Sequence, residues 1–345
     1  MERIYLSENY DHAFDYELRK RFRGILPSRI FDAHFHLSPG EIHSYEKSLF
    51  LPEFRHEEDP QSDLTFYREH IERYLGKGRL CGGLLMGNPK RFQSLEDADT
   101  ERTYGCELTA ASEGFVSGLL ARPTDDQKHI ADFIARYPRI AALKPYRSYA
   151  AAEDTFEADI PTYAPEWMWE IAEQHSLPVV IHLSHYGDML NDAANIRDIR
   201  YLCVKYPHAK MVLAHCALGH HPDKLKSGIP KVVDLPNLYM DCSGISEALS
   251  IIYSLRTFGP SRVMFGTDGF GFGIRTGRCM PLGGNFLGIH KDLSLPPDYH
   301  YRPINALSEG LLALTSACDV LGTTADELDE IYYRTAANLY YGACR

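Results

Sequence analysis

The stretch IFDAHFH, residues 30–36, decides how the rest of the chain is interpreted. An apolar run that passes directly into histidine is typical of a buried parallel strand whose carboxyl end opens into a polar site. Side chains two positions apart on a strand point to the same face, so His34 and His36 can converge on one ion. This stretch therefore predicts a first strand over residues 29–36 that ends at a metal site.

Three further apolar runs end in the same way, namely PVVIH (178–182), MVLAH (211–215) and RVMFGTD (262–268). A solitary histidine at the end of a strand is usually an ordinary polar residue, so the combination carries the prediction. Unpaired imidazoles and a carboxylate in an apolar barrel mouth would be costly to bury without an ion or hydrogen-bond partners. Together with the first pair, His182, His215 and Asp268 form a donor set that suits zinc or a similar divalent cation.

The order of strands and helices predicts the architecture. Eight strand candidates cover residues 29–36, 80–86, 115–121, 139–146, 178–183, 210–215, 237–242 and 262–268. Segments of helical character lie between most of them, at 100–112, 125–137, 165–175, 191–206 and 246–258. Alternating strands and helices indicate parallel βαβ units, and eight such units make a (β/α)8 TIM barrel of about 250 residues. We therefore expect an α/β fold in which residues 1–345 form one barrel domain.

Two long segments exceed what the barrel needs. Residues 37–78 follow the first strand, and the glycine-rich residues 269–302 follow the eighth. Both begin at strand carboxyl ends, the face on which barrel active sites are built, so we expect lids or substrate-binding loops. Residues 304–341 predict two extra helices, the second opened by a Thr324 cap and ended at Gly342.

Composition excludes several classes of protein. The chain has 345 residues, of which 44% are hydrophobic and 24% charged, which is the balance of an ordinary globular protein. Its formal net charge of −11 argues against a nucleic-acid partner. No apolar run approaches the roughly 20 residues of a membrane span, and the charged N-terminus does not resemble a secretory signal. The eight cysteines include no C-x-x-C pair, so we expect reduced thiols and a cytoplasmic location.

These motifs together resemble a known enzyme family. The ordered set that carries the resemblance is Asp32-Ala33-His34-Phe35-His36, Lys144, His182, His215 and Asp268. It is similar to the amidohydrolase superfamily, and most similar to the amidohydrolase-2 branch of aminocarboxymuconate-semialdehyde decarboxylase-like hydrolases and decarboxylases. The resemblance extends from about residue 29 to the C-terminal helix. It implies that His34, His36, His182 and Asp268 hold the metal, and that His215 polarises the substrate or binds a second ion.

Lys144 is the ambiguous member of this set. It ends the predicted fourth strand, where two-metal amidohydrolases carry a carbamylated lysine that bridges both ions. In the amidohydrolase-2 branch a lysine at this position is often not a ligand. We favour one divalent ion per chain, most simply zinc with manganese or iron as alternatives, and Lys144 as an ammonium near a substrate carboxylate. A carbamylated lysine and a lysine without a role are the alternatives.

The ligand set predicts hydrolysis of an amide, ester or lactone in a small, carboxylated molecule. A catalytic zinc lowers the pKa of its bound water to about 7, which supplies hydroxide at neutral pH. Asp268 would take the proton and return it to the leaving group, and His215 would stabilise the oxyanion. The same motifs also suit a non-oxidative decarboxylase of an aromatic or unsaturated acid. A third interpretation, from another class, is a non-catalytic metal-binding barrel that senses a ligand.

The remaining candidates concern the substrate and the partners. We expect Lys144, Arg147, His185 and Arg275 to contact an anionic small-molecule substrate. Asp32 lies two positions before His34 on the same face of its strand, which predicts a hydrogen bond that supports a metal ligand. The surplus loops and the C-terminal helices offer surfaces for a homodimer, although no residue pattern requires one.

Overall fold

The computed structural model describes residues 13–37, 39, 62–88, 92, 94–269, 278–281, 286–289 and 303–344. Eight parallel strands form one sheet in sequential order, β1 to β8. They are β1 (Ile30–His36), β2 (Leu80–Met86), β3 (Phe115–Ala121), β4 (Ile140–Pro145), β5 (Pro178–Ile181), β6 (Lys210–Leu213), β7 (Leu238–Asp241) and β8 (Val263–Met264). The predicted (β/α)8 barrel is confirmed, and each strand lies where the apolar pattern indicated.

The barrel closes between β1 and the segment that follows β8. The Ala33 amide donates to the Phe265 carbonyl at 3.0 Å, and the Asp268 amide donates to the His34 carbonyl at 2.8 Å. Regular pairing of β8 covers only two residues, whereas the sequence predicted a strand over 262–268. Residues 265–268 instead run beside β1, which carries Asp268 to the histidines of the first strand.

Helices separate the strands and surround the barrel. They are α1 (Ala13–Ile25), α2 (Leu64–Leu75), α3 (Leu95–Ala110), α4 (Gln127–Arg136), α5 (Ile160–Tyr163), α6 (Glu166–His175), α7 (Ala193–Lys205), the turn α8 (His215–Leu218), α9 (Pro222–Gly228), α10 (Ala248–Phe258), α11 (Ala306–Leu321), α12 (Ala325–Asp329) and α13 (Thr335–Tyr341). Side-chain caps begin several of them: Ser94 accepts from the Asp97 amide at the start of α3, and Asp192 caps α7. The Ser94 cap places the start of α3 five residues before the predicted helix at 100–112.

The surplus segments contain regular structure that the sequence did not predict. Within residues 37–78, α2 is capped by Asp63 and buries six side chains, so this part is a packed helix and not a loop. After β8, two antiparallel strands, β9 (Arg278–Pro281) and β10 (Phe286–Ile289), form a small sheet with β11 (Ile304–Asn305) in the order β10–β9–β11. The α1 helix, which precedes the barrel, was also not expected.

The C-terminal helices cover the barrel from the end opposite the histidines. The predicted Thr324 cap is confirmed, because its hydroxyl and the Glu327 carboxylate form a reciprocal capping box at α12. A π-helical turn, Glu330–Arg334, then leads directly into α13. There, Tyr340 enters the barrel interior and stacks on Phe31, with ring centroids 6.0 Å apart. Four alanines belong to the same buried cluster as Phe31 and Tyr340, namely Ala33, Ala141, Ala142 and Ala214.

Candidate metal centre

Three donor atoms converge at the carboxyl end of the barrel. The Nε2 atoms of His34 and His36 lie 3.2 Å apart. An Asp268 oxygen, Oδ1, lies 3.4 Å from Nε2 of His36 and 3.7 Å from Nε2 of His34. Both histidine side chains are almost fully buried, whereas that of Asp268 is 18% exposed. The cluster therefore opens to solvent on the side of the carboxylate.

The hydrogen bonds of the two rings decide where their protons sit. Nδ1 of His34 lies 2.9 Å from an Asp241 carboxylate oxygen, and Nδ1 of His36 lies 3.1 Å from the Met86 carbonyl. Both oxygens can only accept, so each Nδ1 carries a hydrogen and each Nε2 carries a lone pair. Burial also lowers the pKa of His34 to about 3, so the ring is neutral. Two lone pairs thus face each other beside a carboxylate.

That arrangement fits a bound cation. Two converging lone pairs and a carboxylate repel one another unless positive charge lies between them. Burial by itself would raise the pKa of Asp268, but its interactions with His36, His215 and His34 hold that pKa below its ordinary value. Two imidazole nitrogens with one carboxylate are donors that zinc and related divalent metals accept. The residues present therefore fit a divalent metal on the chemistry of the donor set.

Two further histidines stand beside this cluster. The His215 ring lies 4.7 Å from that of His34 and 5.1 Å from that of His182, measured between centroids. Each Nδ1 again faces a main-chain carbonyl, that of Ser243 at 2.9 Å for His215 and that of Leu183 at 3.1 Å for His182. The ligand atoms of His34, His36 and Asp268 all lie within 4.8 Å of one another, and His182 does not belong to this group. Its role as a fourth ligand stays a prediction.

His215 begins a backbone turn of unusual conformation. The four residues of α8 all have positive φ, between 48° and 58°, and none of them is glycine. Left-handed backbone costs residues with a Cβ roughly 1–2 kcal/mol each, so the surrounding structure must hold the turn in place. One visible restraint is Asp241, whose Oδ1 accepts from the His215 amide at 3.1 Å. The turn at the end of β6 directs the His215 ring across the mouth of the barrel towards β1.

Lys144 lies at the end of β4 and is fully buried. Within the described part of the chain, its ammonium nitrogen has no hydrogen-bond partner and lies 4.9 Å from the centre of the Tyr146 ring. Burial lowers the pKa of Lys144 to about 8, against the opposing attraction of Asp241 and Asp268. The structure therefore places an unpaired amine within electrostatic reach of the cluster.

Of the other residues predicted to contact the substrate, only Arg147 lies beside the histidines in the described structure. The guanidinium of Arg147 lies over the Phe156 ring, 3.6 Å from its centre, and Nε of Arg147 donates to the Tyr186 hydroxyl at 3.2 Å. The Tyr186 ring in turn lies 6.1 Å from that of His182, so Arg147 belongs to the wall next to this histidine. His185 instead pairs with two loop carboxylates, those of Glu157 at 3.2 Å and Asp159 at 3.0 Å. The predicted Arg275 lies outside the described residues.

The family follows from this site together with the sequence. The sequence profile of the amidohydrolase family matches residues 31–341. The chain belongs to the amidohydrolase-2 family. No curated protein matches this amidohydrolase closely enough to count as similar.

Solved structures share the fold at low sequence identity. An amidohydrolase from Burkholderia multivorans with bound zinc is 12% identical, with a TM-score of 0.61 over 91% of this chain and 99% of that one. A putative 2-pyrone-4,6-dicarboxylic acid hydrolase from Pseudomonas putida is 13% identical, with a TM-score of 0.53 over 92% and 99%. The 5-carboxyvanillate decarboxylase from Sphingomonas paucimobilis is 15% identical, with a TM-score of 0.54 over 91% and 99%. Proteins that share this fold therefore include both hydrolases and decarboxylases.

Asp32 supports the site through the backbone. Its carboxylate accepts from the amides of His34 and Thr267, each at 3.0 Å, from the Thr267 hydroxyl at 2.5 Å and from the Tyr67 hydroxyl. Burial raises the pKa of Asp32 to about 6, although these hydrogen bonds act in the opposite direction. The predicted hydrogen bond thus reaches the main chain of His34 and not its ring, and it joins β1 to the segment that carries Asp268.

Sequence reasoning missed Asp241. This buried aspartate is the last residue of β7 and contacts both His34 and His215. A signal was available, because LYMD (238–241) ends an apolar strand in aspartate just as the eighth predicted strand does. No helix in the described part of the chain is long and apolar enough to cross a membrane.

Proposed function

We propose that this amidohydrolase is a divalent-metal-dependent hydrolase of an amide, ester or lactone bond in a small carboxylated molecule. The observation that carries the proposal is the convergence of two imidazole lone pairs with the Asp268 carboxylate at the open end of the barrel. His34, His36 and Asp268 would hold the ion, and His182 is the nearest candidate for a fourth ligand. A bound divalent cation supplies a Lewis acid that polarises a carbonyl and acidifies water at its open position.

Asp268 is the proton carrier in this proposal. Its side chain is the most exposed of the three donors, so water and substrate can reach it. The low pKa keeps its carboxylate ionised at neutral pH, which is the form that accepts a proton. The carboxylate takes the proton of the attacking water and returns it to the leaving group as the scissile bond breaks.

His215 stabilises the negative charge that develops on the oxygen of the attacked carbonyl. Its Nδ1 proton is held by the Ser243 carbonyl, so Nε2 is the nitrogen that can exchange a proton with the substrate. A proton taken up from solvent at Nε2 before the attack lets His215 donate a hydrogen bond to the developing oxyanion. The left-handed turn fixes the ring beside His34, which limits the reorganisation that this step needs.

Two cations are suited to a substrate carboxylate. The Lys144 ammonium is buried without a hydrogen-bond partner in the described structure, and Arg147 has no acidic partner there. Together with a bound divalent cation, these two cations would outweigh the Asp241 and Asp268 carboxylates at the site, which favours an anionic substrate. Arg275, after Asp268, is a further candidate from the sequence.

A decarboxylase is the second candidate, because the same proton carriers can act on carbon. Asp268 or His215 would pass a proton to the carbon that loses carbon dioxide, while Lys144 and Arg147 would bind the remaining acid group. No water would enter the product. The two reactions therefore differ in the fate of solvent oxygen and in the release of carbon dioxide.

The experiment incubates zinc-loaded enzyme with a panel of lactones, amides and aromatic acids in oxygen-18 water, and follows product mass and carbon dioxide. Oxygen-18 in the product would support hydrolysis, and carbon dioxide without oxygen-18 would support decarboxylation. Asp268→Asn should remove turnover of either kind. Its control is Asp234→Asn, which alters an exposed aspartate paired with Arg200 and should leave activity unchanged. Undiminished activity in Asp268→Asn would refute the role of this carboxylate.

A further inference from the structure

Asp241 links the candidate metal centre to the strained turn at His215. Its side chain is fully buried at the end of β7. Oδ2 accepts from Nδ1 of His34 at 2.9 Å. Oδ1 accepts from the amides of His215 and Ser243, each at 3.1 Å, and from the Ser243 hydroxyl. One carboxylate therefore contacts β1, the end of β6 and the segment after β7.

The two carboxylate oxygens of Asp241 bind different parts of the site. The bond at Oδ2 keeps the His34 proton on Nδ1, and so leaves the Nε2 lone pair for a metal. The bonds at Oδ1 attach two main-chain amides, one of which belongs to the first residue of the left-handed turn. His36 does not depend on this carboxylate, because its Nδ1 donates to the Met86 carbonyl.

We propose that Asp241 is a positioning residue that sets the tautomer of His34 and anchors the turn carrying His215. The importance of Asp241 for catalysis rests on the proposed metal-dependent function. Its effects on the His34 tautomer and on the His215 turn apply to the metal-free protein as well. Through Asp241, the ligand His34 on β1 and the His215 turn after β6 are held by a single group.

An asparagine cannot reproduce both functions. Its one carbonyl oxygen can satisfy the three donors at the Oδ1 position, but its amide NH2 then faces Nδ1 of His34, which is also a donor. The conflict is relieved if the His34 proton moves through solvent from Nδ1 to Nε2, so that Nδ1 accepts from the amide. The ring stays neutral, and Nε2 loses the lone pair that a metal needs.

The test is a nitrogen-15 NMR spectrum of the imidazole groups in metal-free wild type and Asp241→Asn, labelled at histidine. We expect His34 to carry its proton on Nδ1 in the wild type and on Nε2 in the variant. His36 should keep its proton on Nδ1 in both, which shows that the barrel mouth is intact. Zinc affinity, measured by competition with a chromogenic chelator, should fall about 10- to 100-fold, the usual effect of losing a partner that orients a metal ligand.

Ser243→Ala is the matched control: it removes one donor from Oδ1, and a hydroxyl that lies 3.0 Å from Nδ1 of His215, but it leaves both carboxylate oxygens in place. It should retain the wild-type His34 tautomer and bind zinc within about threefold of the wild type. A His34 proton on Nε2 in the wild type would overturn the proposal even if Asp241→Asn failed to fold. A proton that stays on Nδ1 in the variant would overturn the role of Asp241. A shifted tautomer with unchanged zinc affinity would instead overturn the proposed metal site at His34.

Discussion

Replacing Lys144 by methionine should stabilise the metal-free protein at neutral pH. The ammonium of Lys144 is fully buried and, in the described structure, makes no hydrogen bond. Its pKa of about 8, against an ordinary 10.5, is set mainly by burial. A buried charge without hydrogen bonds opposes folding, and methionine occupies similar space without a charge.

The magnitude follows from the two pKa values. A difference between 10.5 and about 8 corresponds to about 3 kcal/mol between the folded and unfolded proteins. Because the folded pKa is depressed, the unfolded chain binds more protons between pH 8 and 10.5, and stability from this group rises with pH across that window. Below pH 8 the full penalty is present. Lys144→Met should therefore gain about 3 kcal/mol at pH 7 and nothing above pH 10.5.

Urea unfolding at 25 °C with a chelator present measures this difference at pH 7 and pH 10.5. The control is Lys128→Met, which removes a lysine whose side chain is 81% exposed and paired with Asp132, and should change stability by less than about 1 kcal/mol. An Lys144→Met protein that is less stable than the wild type at pH 7 would refute the reasoning, as would a gain that is equal at both pH values. The variant should also lose affinity for carboxylated substrates, so stability and function oppose each other at this position.

Three further variants test other parts of the site. Gly266→Ala places a methyl group 2.9 Å from Cβ of Ser243 and 3.1 Å from Cβ of His34, so we expect zinc affinity in a chelator competition to fall tenfold or more. Gly24→Ala, which meets nothing within 4 Å in the described structure, should bind zinc normally. Tyr67→Phe removes a hydrogen-bond donor to the buried Asp32 carboxylate and should lower the free energy of unfolding by about 1–3 kcal/mol. An unchanged urea midpoint would show that this hydrogen bond does not stabilise the protein. Arg147→Met should raise KM about 10- to 100-fold for a carboxylated substrate but not for its methyl ester; equal effects on both would show that Arg147 does not bind the anion.

Much of the architecture could be predicted from local patterns. Each predicted barrel strand overlaps an observed one, because a buried parallel strand must be apolar on both faces and this composition is visible in short stretches. The alternation of side chains along β1 also predicted that His34 and His36 share a face, and their Nε2 atoms lie 3.2 Å apart. The α2 helix was not predicted, although its buried residues at 64, 67, 71, 74 and 75 recur at helical spacing after an Asp63 cap, a pattern that is visible in the sequence itself.

The sequence by itself thus determined which strands carry the candidate metal donors. Closure of the barrel decided which of their side chains contact one another. The bond from Asp241 to His34 joins residues 207 positions apart, which no local pattern specifies. The same holds for the positive φ of His215, a conformation that a residue with a Cβ adopts only when surrounding contacts hold it. Residue types and strand alternation act over a few positions, but tautomers, strained turns and distances between donors depend on groups that only the folded chain brings together.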